Sequence, residues 1–188
     1  MYNKKFKGDV CSHTHSFLLD NFIRRIFQNP QKIVGEYIRQ GDTVIDMGCG
    51  SGFFCLDMAR LVGTQGRVIA VDVQQEMLDK LKKKLGQTSL INRFLFHLCP
   101  QERISLDEDI KANFILAYYM AHETPDQRTF FSEVKNLLKP GGKFLLVEPP
   151  FHVSKKQFQK LRLYAEQAGL KILSFPSGKG GHSLLFTI

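Results

Sequence analysis

Thr43-Val44-Ile45-Asp46-Met47-Gly48-Cys49-Gly50-Ser51-Gly52-Phe53-Phe54 is the stretch on which the fold turns. Val44, Ile45 and Met47 form an apolar run of strand length. Gly48, Gly50 and Gly52 follow at alternate positions, and Phe54, Met58, Leu61 and Val62 then recur at helical spacing. A strand that passes through residues without a Cβ can take positive φ in the turn and leave bare main chain open to a ligand. The free N–H groups of the next helix aim at the same place. Asp46 adds a carboxylate beside it, which repels a phosphate and suits a ligand with a positive centre. A dinucleotide-binding turn, G-x-G-x-x-G, would need glycine where the chain has Phe53.

Outward from this turn, Val68-Ile69-Ala70-Val71 reads as a second strand ending in Asp72. Strand, helix and strand in succession imply a parallel sheet with a right-handed crossover. A carboxylate at the end of the neighbouring strand can accept both hydroxyls of a ribose. Asp72 also reads as the N-cap of the next helix, which buries Met77, Leu78, Leu81 and Leu85, and the two roles are compatible. Further strands are expected at Phe94–Leu98, Ala112–Tyr119 and Lys143–Glu148, with a terminal hairpin from Leu170–Phe175 and Ser183–Ile188. Lys139-Pro140-Gly141-Gly142 reads as a helix stop and turn. Residues 102–110 read as a short helix or a loop.

Asp46-Met47-Gly48-Cys49-Gly50-Ser51-Gly52 resembles motif I of the class I S-adenosylmethionine-dependent methyltransferases, an acidic residue, any residue, then G-x-G-x-G. Leu138-Lys139-Pro140-Gly141-Gly142 ahead of an apolar strand resembles a second phrase of that family. The resemblance covers roughly residues 30–188. It implies an α/β, Rossmann-like, doubly wound sheet of seven strands in the order 3-2-1-4-5-7-6, the last antiparallel, with helices at the N-terminus. It implies S-adenosyl-L-methionine as cofactor, held by Asp46, Gly48, Cys49, Gly50 and Gly52, with Asp72 on the ribose. Val73 and Met77 would flank the adenine, and Cys99, Pro100 and Ala117 would complete the nucleoside site. Where the family usually has an acid against the adenine amino group, this chain has Cys99-Pro100-Gln101. That leaves backbone groups and Gln101 for the contact.

Ligands of open α/β sheets bind beyond the carboxyl ends of the strands, where strand order reverses. His122 and Glu123, after the fourth strand, are therefore placed to face an acceptor. His122 is the candidate catalytic base, because an ordinary histidine titrates near pH ~6.5. The alternative is that it caps the loop. Glu123 could orient it or hold a cationic acceptor, although adjacent residues on a helix do not share a face. Cys11, Tyr119 and Glu123 are the candidates for the acceptor pocket.

Length and composition predict one domain over 1–188, with an N-terminal helical cover (1–40) and a Rossmann-like core (41–188). Leu19, Phe22, Ile23, Ile26 and Phe27 suggest a helix over residues 16–28. Asn29-Pro30 reads as the cap of another, which buries Ile33, Val34, Tyr37 and Ile38 and stops before Gly41. Neither a membrane-length apolar run nor a signal peptide is evident, which points to the cytoplasm. Cys11, Cys49, Cys55 and Cys99 contain no C-x-x-C pair and read as free thiols. Cys11-Ser12-His13-Thr14-His15 lacks a second cluster of ligands, so no metal is expected.

The net charge is +8, with Lys80, Lys82, Lys83 and Lys84 the densest run. These lysines are not interleaved with stacking aromatics, so a solvated helix face is expected rather than a nucleic-acid partner. An N-P-P-[FY] motif is missing after the fourth strand, and Glu148-Pro149-Pro150-Phe151 follows the fifth. The expected function is methylation of a small-molecule acceptor. The alternatives are a non-catalytic S-adenosylmethionine-binding module, a nicotinamide-dependent enzyme, an RNA methyltransferase, and a thiol or metalloid methyltransferase using Cys11, Cys99 and His122.

Overall fold

The computed structural model describes residues 28–86 and 88–188. The helix expected over 16–28 lies almost wholly outside these residues, and Cys11 with its neighbouring histidines lies entirely outside them. In chain order the elements are α1 (Pro30–Val34), β1 (Thr43–Met47), α2 (Cys55–Leu61), β2 (Arg67–Asp72), α3 (Gln75–Leu85), β3 (Phe94–Leu98), β4 (Ala112–Tyr118), α4 (Gln127–Leu137), β5 (Leu138–Glu148), α5 (Lys155–Gln167), β6 (Lys171–Ser174) and β7 (His182–Thr187). The strands form a seven-stranded sheet in the order β3-β2-β1-β4-β5-β7-β6. β1 pairs in parallel with β2 on one side and β4 on the other, which puts the reversal of strand order between β1 and β4. β7 runs antiparallel to both β5 and β6.

The central strands are apolar on both faces because helices cover both. Ile45, Met47, Ile69, Ile115, Phe144 and Phe186 face the side built with Phe131 of α4 and Leu161 of α5. Val44, Val68, Phe114, Leu116, Leu145 and Val147 face Ile33 of α1 and Met58 of α2. Removing such side chains from water stabilises the fold by about 1.5–3 kcal/mol each. On α3 the buried stripe of Met77, Leu78, Leu81 and Leu85 faces inward. Its lysines stay at the surface, with Lys80 3.0 Å from Glu76 and Lys82 3.8 Å from Asp79. No helix among the described residues is long and apolar enough to cross a membrane.

In two elements the structure differs from the sequence expectation. α1 ends at Val34 instead of running on toward Gly41. Asn29 caps it as expected, its Oδ1 accepting from the N–H groups of Gln31 (3.0 Å) and Lys32 (3.3 Å). The chain then tightens at Gly35, where a Cβ would stand 2.4 Å from the Gln31 carbonyl oxygen. Glycine is also a poor helix former, by about 1 kcal/mol. The second difference is at Pro140-Gly141-Gly142, which forms a wide bulge inside β5 rather than a turn before it. Ala112 pairs with Leu138 and Phe114 with Lys143, so the residues between are looped out. Gly141 takes φ +73° there.

Candidate active site

The glycine turn after β1 is locked to the end of β2. The Cys49 N–H donates to the Val71 carbonyl (3.0 Å) and the Gly52 N–H to the Cys49 carbonyl (3.0 Å). Gly48, Gly50 and Gly52 take φ of +66°, +53° and +90°, a region that favours glycine. Their surroundings differ. A Cβ on Gly52 would lie 2.4 Å from Leu81 Cδ1, so its bareness lets α3 pack close. One on Gly48 would lie 3.0 Å from Met120, and one on Gly50 would meet nothing within 4 Å. Gly50 is thus the point where main chain lies open.

Two carboxylates stand at this turn. Asp46 is only 2% exposed, and its Oδ2 accepts from the Cys55 thiol at 3.1 Å. Burial, together with Cys49 and Asp46, pushes the Cys55 thiol well up, so it stays a neutral donor. Asp72 is 6% exposed. Its Oδ2 accepts from the Gly50 N–H at 2.8 Å and its Oδ1 from the Gln74 N–H at 2.9 Å. Burial pushes its carboxyl up, and the N–H groups of Gln74, Gly50 and Val73 only partly offset this. A carboxylate has about four lone-pair positions, so acceptor capacity remains on both oxygens. Cys49 lies within the field of both acids. Its contact with Cys55 lowers the thiol's pKa, but burial and the charges of Asp46 and Asp72 raise it overall.

The remaining expected nucleoside residues divide into two groups. Val73 is 37% exposed, Pro100 is exposed and Cys99 is half-buried. The Cys99 N–H donates to the Asp72 carbonyl (3.0 Å), and burial followed by the Asp72 charge pushes its thiol up to about 11. Met77 and Ala117 are buried, Ala117 opposite Met47 in the β1–β4 ladder. Glu133 of α4 holds the loop beyond Cys99 by accepting from the N–H groups of Ile104 (2.7 Å) and Ser105 (3.3 Å).

Beyond β4, Tyr119 takes φ +62° and its N–H donates to the Val147 carbonyl at 2.8 Å. Expected in the acceptor pocket, its hydroxyl instead donates to the Gly180 carbonyl (2.5 Å) and accepts from Gln28 Nε2 (3.0 Å). The Tyr118 hydroxyl donates to the Lys179 carbonyl (3.0 Å). Lys179 is itself buried, and its Nζ donates to the carbonyls of Lys32 and Ile33 (both 3.0 Å) and to Glu36 Oε1 (2.6 Å). The loop between β6 and β7 is therefore tied to the end of β4 and to α1.

His122 lies in a single 3₁₀ turn, Ala121–Glu123. Its main partner is not the adjacent Glu123 but Glu148, at the end of β5 and 0% exposed. Glu148 Oε1 accepts the His122 backbone N–H (3.2 Å), and Oε2 lies 2.5 Å from His122 Nδ1. Glu123 Oε1 stands 3.8 Å from Nε2 on the other side of the ring. Burial is the largest influence on His122 and would lower its pKa. The bond to Glu148 and the charges of Glu148 and Glu123 outweigh it and raise the pKa. Burial raises the Glu123 carboxyl, opposed by His122 and His152 and reinforced by Glu148 and Asp72. Asp72, Glu123, His122 and Glu148 therefore share one electrostatic neighbourhood.

Sequence reasoning missed the tie between Glu148 and His122. For Glu148 a signal existed. An acid closes the otherwise apolar run of β5, as Asp46 and Asp72 do at the ends of β1 and β2. No group of three or more His, Cys, Asp or Glu among the described residues could hold a metal. Cys49, Cys55 and Cys99 are free thiols.

Residues 38–180 match a family profile described as a methyltransferase domain. The chain is 26% identical over 156 residues to a ubiquinone/menaquinone biosynthesis C-methyltransferase of a Marinomonas species, a match covering 83% of this chain and 60% of the relative. It is 31% identical over 132 residues to the demethylmenaquinone methyltransferase of Lactococcus lactis, covering 64% and 50%. The chain spans about half the length of the curated relatives it matches. In three dimensions it is similar to a SAM-dependent methyltransferase from Aquifex aeolicus, with a TM-score of 0.79 and 25% identity over 93% of this chain and 96% of that one.

Proposed function

The chain belongs to the class I S-adenosylmethionine-dependent methyltransferases, and we propose that it methylates a small organic acceptor, of the quinol or phenol kind, in the cytoplasm. The observation that carries this reading is the junction of Gly50 and Asp72. Open main chain at Gly50 lies beside a carboxylate that is held 2.8 Å from the Gly50 N–H and has acceptor capacity to spare. That arrangement fits a nucleoside whose ribose offers two hydroxyl donors. When bound, S-adenosylmethionine supplies a methyl group already activated by its sulfonium, so the protein's task is positioning and electrostatics.

Each residue then has a definite part. Asp72 accepts from the ribose, and Gly48 and Gly50 let the ligand lie on backbone. Val73, Cys99 and Pro100 offer the surface beside the base. Asp46, behind the turn, contributes negative charge that suits a sulfonium. His122 and Glu123 face the acceptor side. The His122–Glu148 pair favours an enzyme over a module that only binds, because a merely binding fold has no use for an oriented imidazole at the acceptor side. The two relatives named for quinone biosynthesis support the acceptor class.

Calorimetry with S-adenosylmethionine and with S-adenosylhomocysteine tests the reading directly. Asp72→Ala removes a charged acceptor, whose hydrogen bonds contribute about 1.5–3 kcal/mol each. We expect affinity to fall roughly tenfold to a hundredfold. Gly50→Val should abolish binding, since its side chain would fill the open space. Unchanged affinity in both variants would defeat the proposal.

A further inference from the structure

The grip of Glu148 on His122 bears on what the acceptor must be. Glu148 is wholly buried and takes both the backbone N–H and the ring Nδ1 of His122. A carboxylate only accepts, so Nδ1 carries the hydrogen and the lone pair of the neutral ring lies on Nε2. The His122 side chain keeps 24% of its surface exposed. With Nδ1 turned to the buried acid, Nε2 is the nitrogen left to take up a proton. Glu123 Oε1 lies 3.8 Å away on that side. The groups acting on the ring are thus Glu148 from β5 and Glu123 from its own turn, while His152 and Asp72 act on Glu123.

We infer that Glu148 is a positioning residue that makes His122 Nε2 the base of the site, and that the acceptor loses a proton as it is methylated. This rests on the methyltransferase reading above. The acceptor is then a hydroxylated, enolisable ring, such as a phenol or quinol, rather than a tertiary amine or thioether, which has no proton to give. The acceptor's proton passes to Nε2, leaving its bonding pair on the acceptor. That pair, directly or through the ring, forms the bond to the methyl carbon, and the pair of the broken carbon–sulfur bond stays on sulfur. For C-methylation the methylated carbon gives up its ring proton as the ring regains aromaticity and the oxygen takes one back, so one proton in all is left on Nε2. The charged imidazole is matched by Glu148, so the proton does not create an isolated charge in a half-buried site.

Nitrogen NMR of the ¹⁵N-labelled full chain tests the Glu148 assignment without any ligand. We expect His122 above its titration to carry its proton on Nδ1, and its titration to move to lower pH in Glu148→Gln. An Nε2–H ring in the parent protein, or an identical titration in Glu148→Gln, overturns the assignment. If Glu148→Gln fails to fold, the parent tautomer still decides the matter. Turnover of S-adenosylmethionine with hydroquinone, catechol, dimethylglycine and dimethyl sulfide tests the acceptor class. We expect product from the phenols, a rate that rises with pH through the His122 titration, and a fall in kcat/KM of roughly tenfold to a hundredfold in Glu148→Gln. The acid limb of that variant should sit at lower pH. Product from the amine or sulfide alone, or from none of the panel, overturns the class. Calorimetry showing no S-adenosylmethionine binding would defeat the methyltransferase reading instead, leaving the NMR result to stand by itself.

Discussion

Burial alone would lower the His122 pKa, and Glu148 with Glu123 reverses that. The reversal ties stability to pH with a definite sign. A histidine raised in the folded state gives stability that is fully present below its unfolded value of about 6.5 and is lost as pH rises through the folded value. Glu148→Gln should therefore cost most just below pH ~6.5 and progressively less on the alkaline side. Urea unfolding of both proteins across that range checks it, and a gap that widens with pH would contradict the sign. Single residues were unevenly readable from the sequence. Asp72 reads as a carboxylate of the glycine turn because it ends the neighbouring strand, and its bond to the Gly50 N–H ties it there. Glu148 could not be tied to His122, because only the parallel pairing of β4 with β5 brings those chain positions together. Tyr119 reads as an acceptor-pocket residue from its place after β4, whereas its hydroxyl is committed to Gly180 and Gln28.

Among the elements, β5 shows how a local rule can be right about residues and wrong about shape. Pro140-Gly141-Gly142 does stop α4, which ends at Leu137. The strand nevertheless begins at once, at Leu138, and absorbs the glycines in its bulge. A Cβ on Gly142 would stand 2.8 Å from the Lys139 carbonyl oxygen and 2.9 Å from that of Ala112. Both obstacles are backbone and cannot swing aside. Gly142→Ala should cost about 1–3 kcal/mol, or roughly 2–4 °C of melting temperature per kcal/mol in a chain of this size. Gly141→Ala, with open space but φ +73°, should show backbone strain alone, a smaller loss of roughly 1–2 kcal/mol. Calorimetric melts of the two variants separate the causes. Gly35 follows the same logic, since a helical pattern in Ile33, Val34 and Ile38 cannot reveal a carbonyl 2.4 Å from the missing Cβ.

On the scale of the whole molecule, the sheet's core was legible because alternating strands and helices leave few topologies open. The neighbour of β5 was not, since a hairpin pattern does not say which of its strands joins the sheet. That part of the order came from the family resemblance. Nor did the pattern show that Lys179 would reach back to α1, since a lysine in a Gly-rich loop ordinarily points to water. In the structure Lys179 closes the C-terminal end of α1, where a positive charge is favoured. Lys179→Met should lower stability by about 1–2 kcal/mol. It should also speed amide exchange in residues 30–37 and 175–181 while leaving β1, β2 and β4 protected. Uniformly faster exchange would mean that the clamp is not a local one.

β7 lies between β5 and β6, so β6 reaches the sheet only through a strand made after it. A polypeptide emerging from the ribosome must therefore hold β5 with one edge bare until residues 182–187 have been synthesised and can slide in. Throughout that interval the half-made molecule exposes a sticky border that invites pairing with other nascent chains. Speed of translation across residues 149–187, and chaperones waiting at the tunnel exit, thus bear on the yield of this fold in a way its finished architecture conceals.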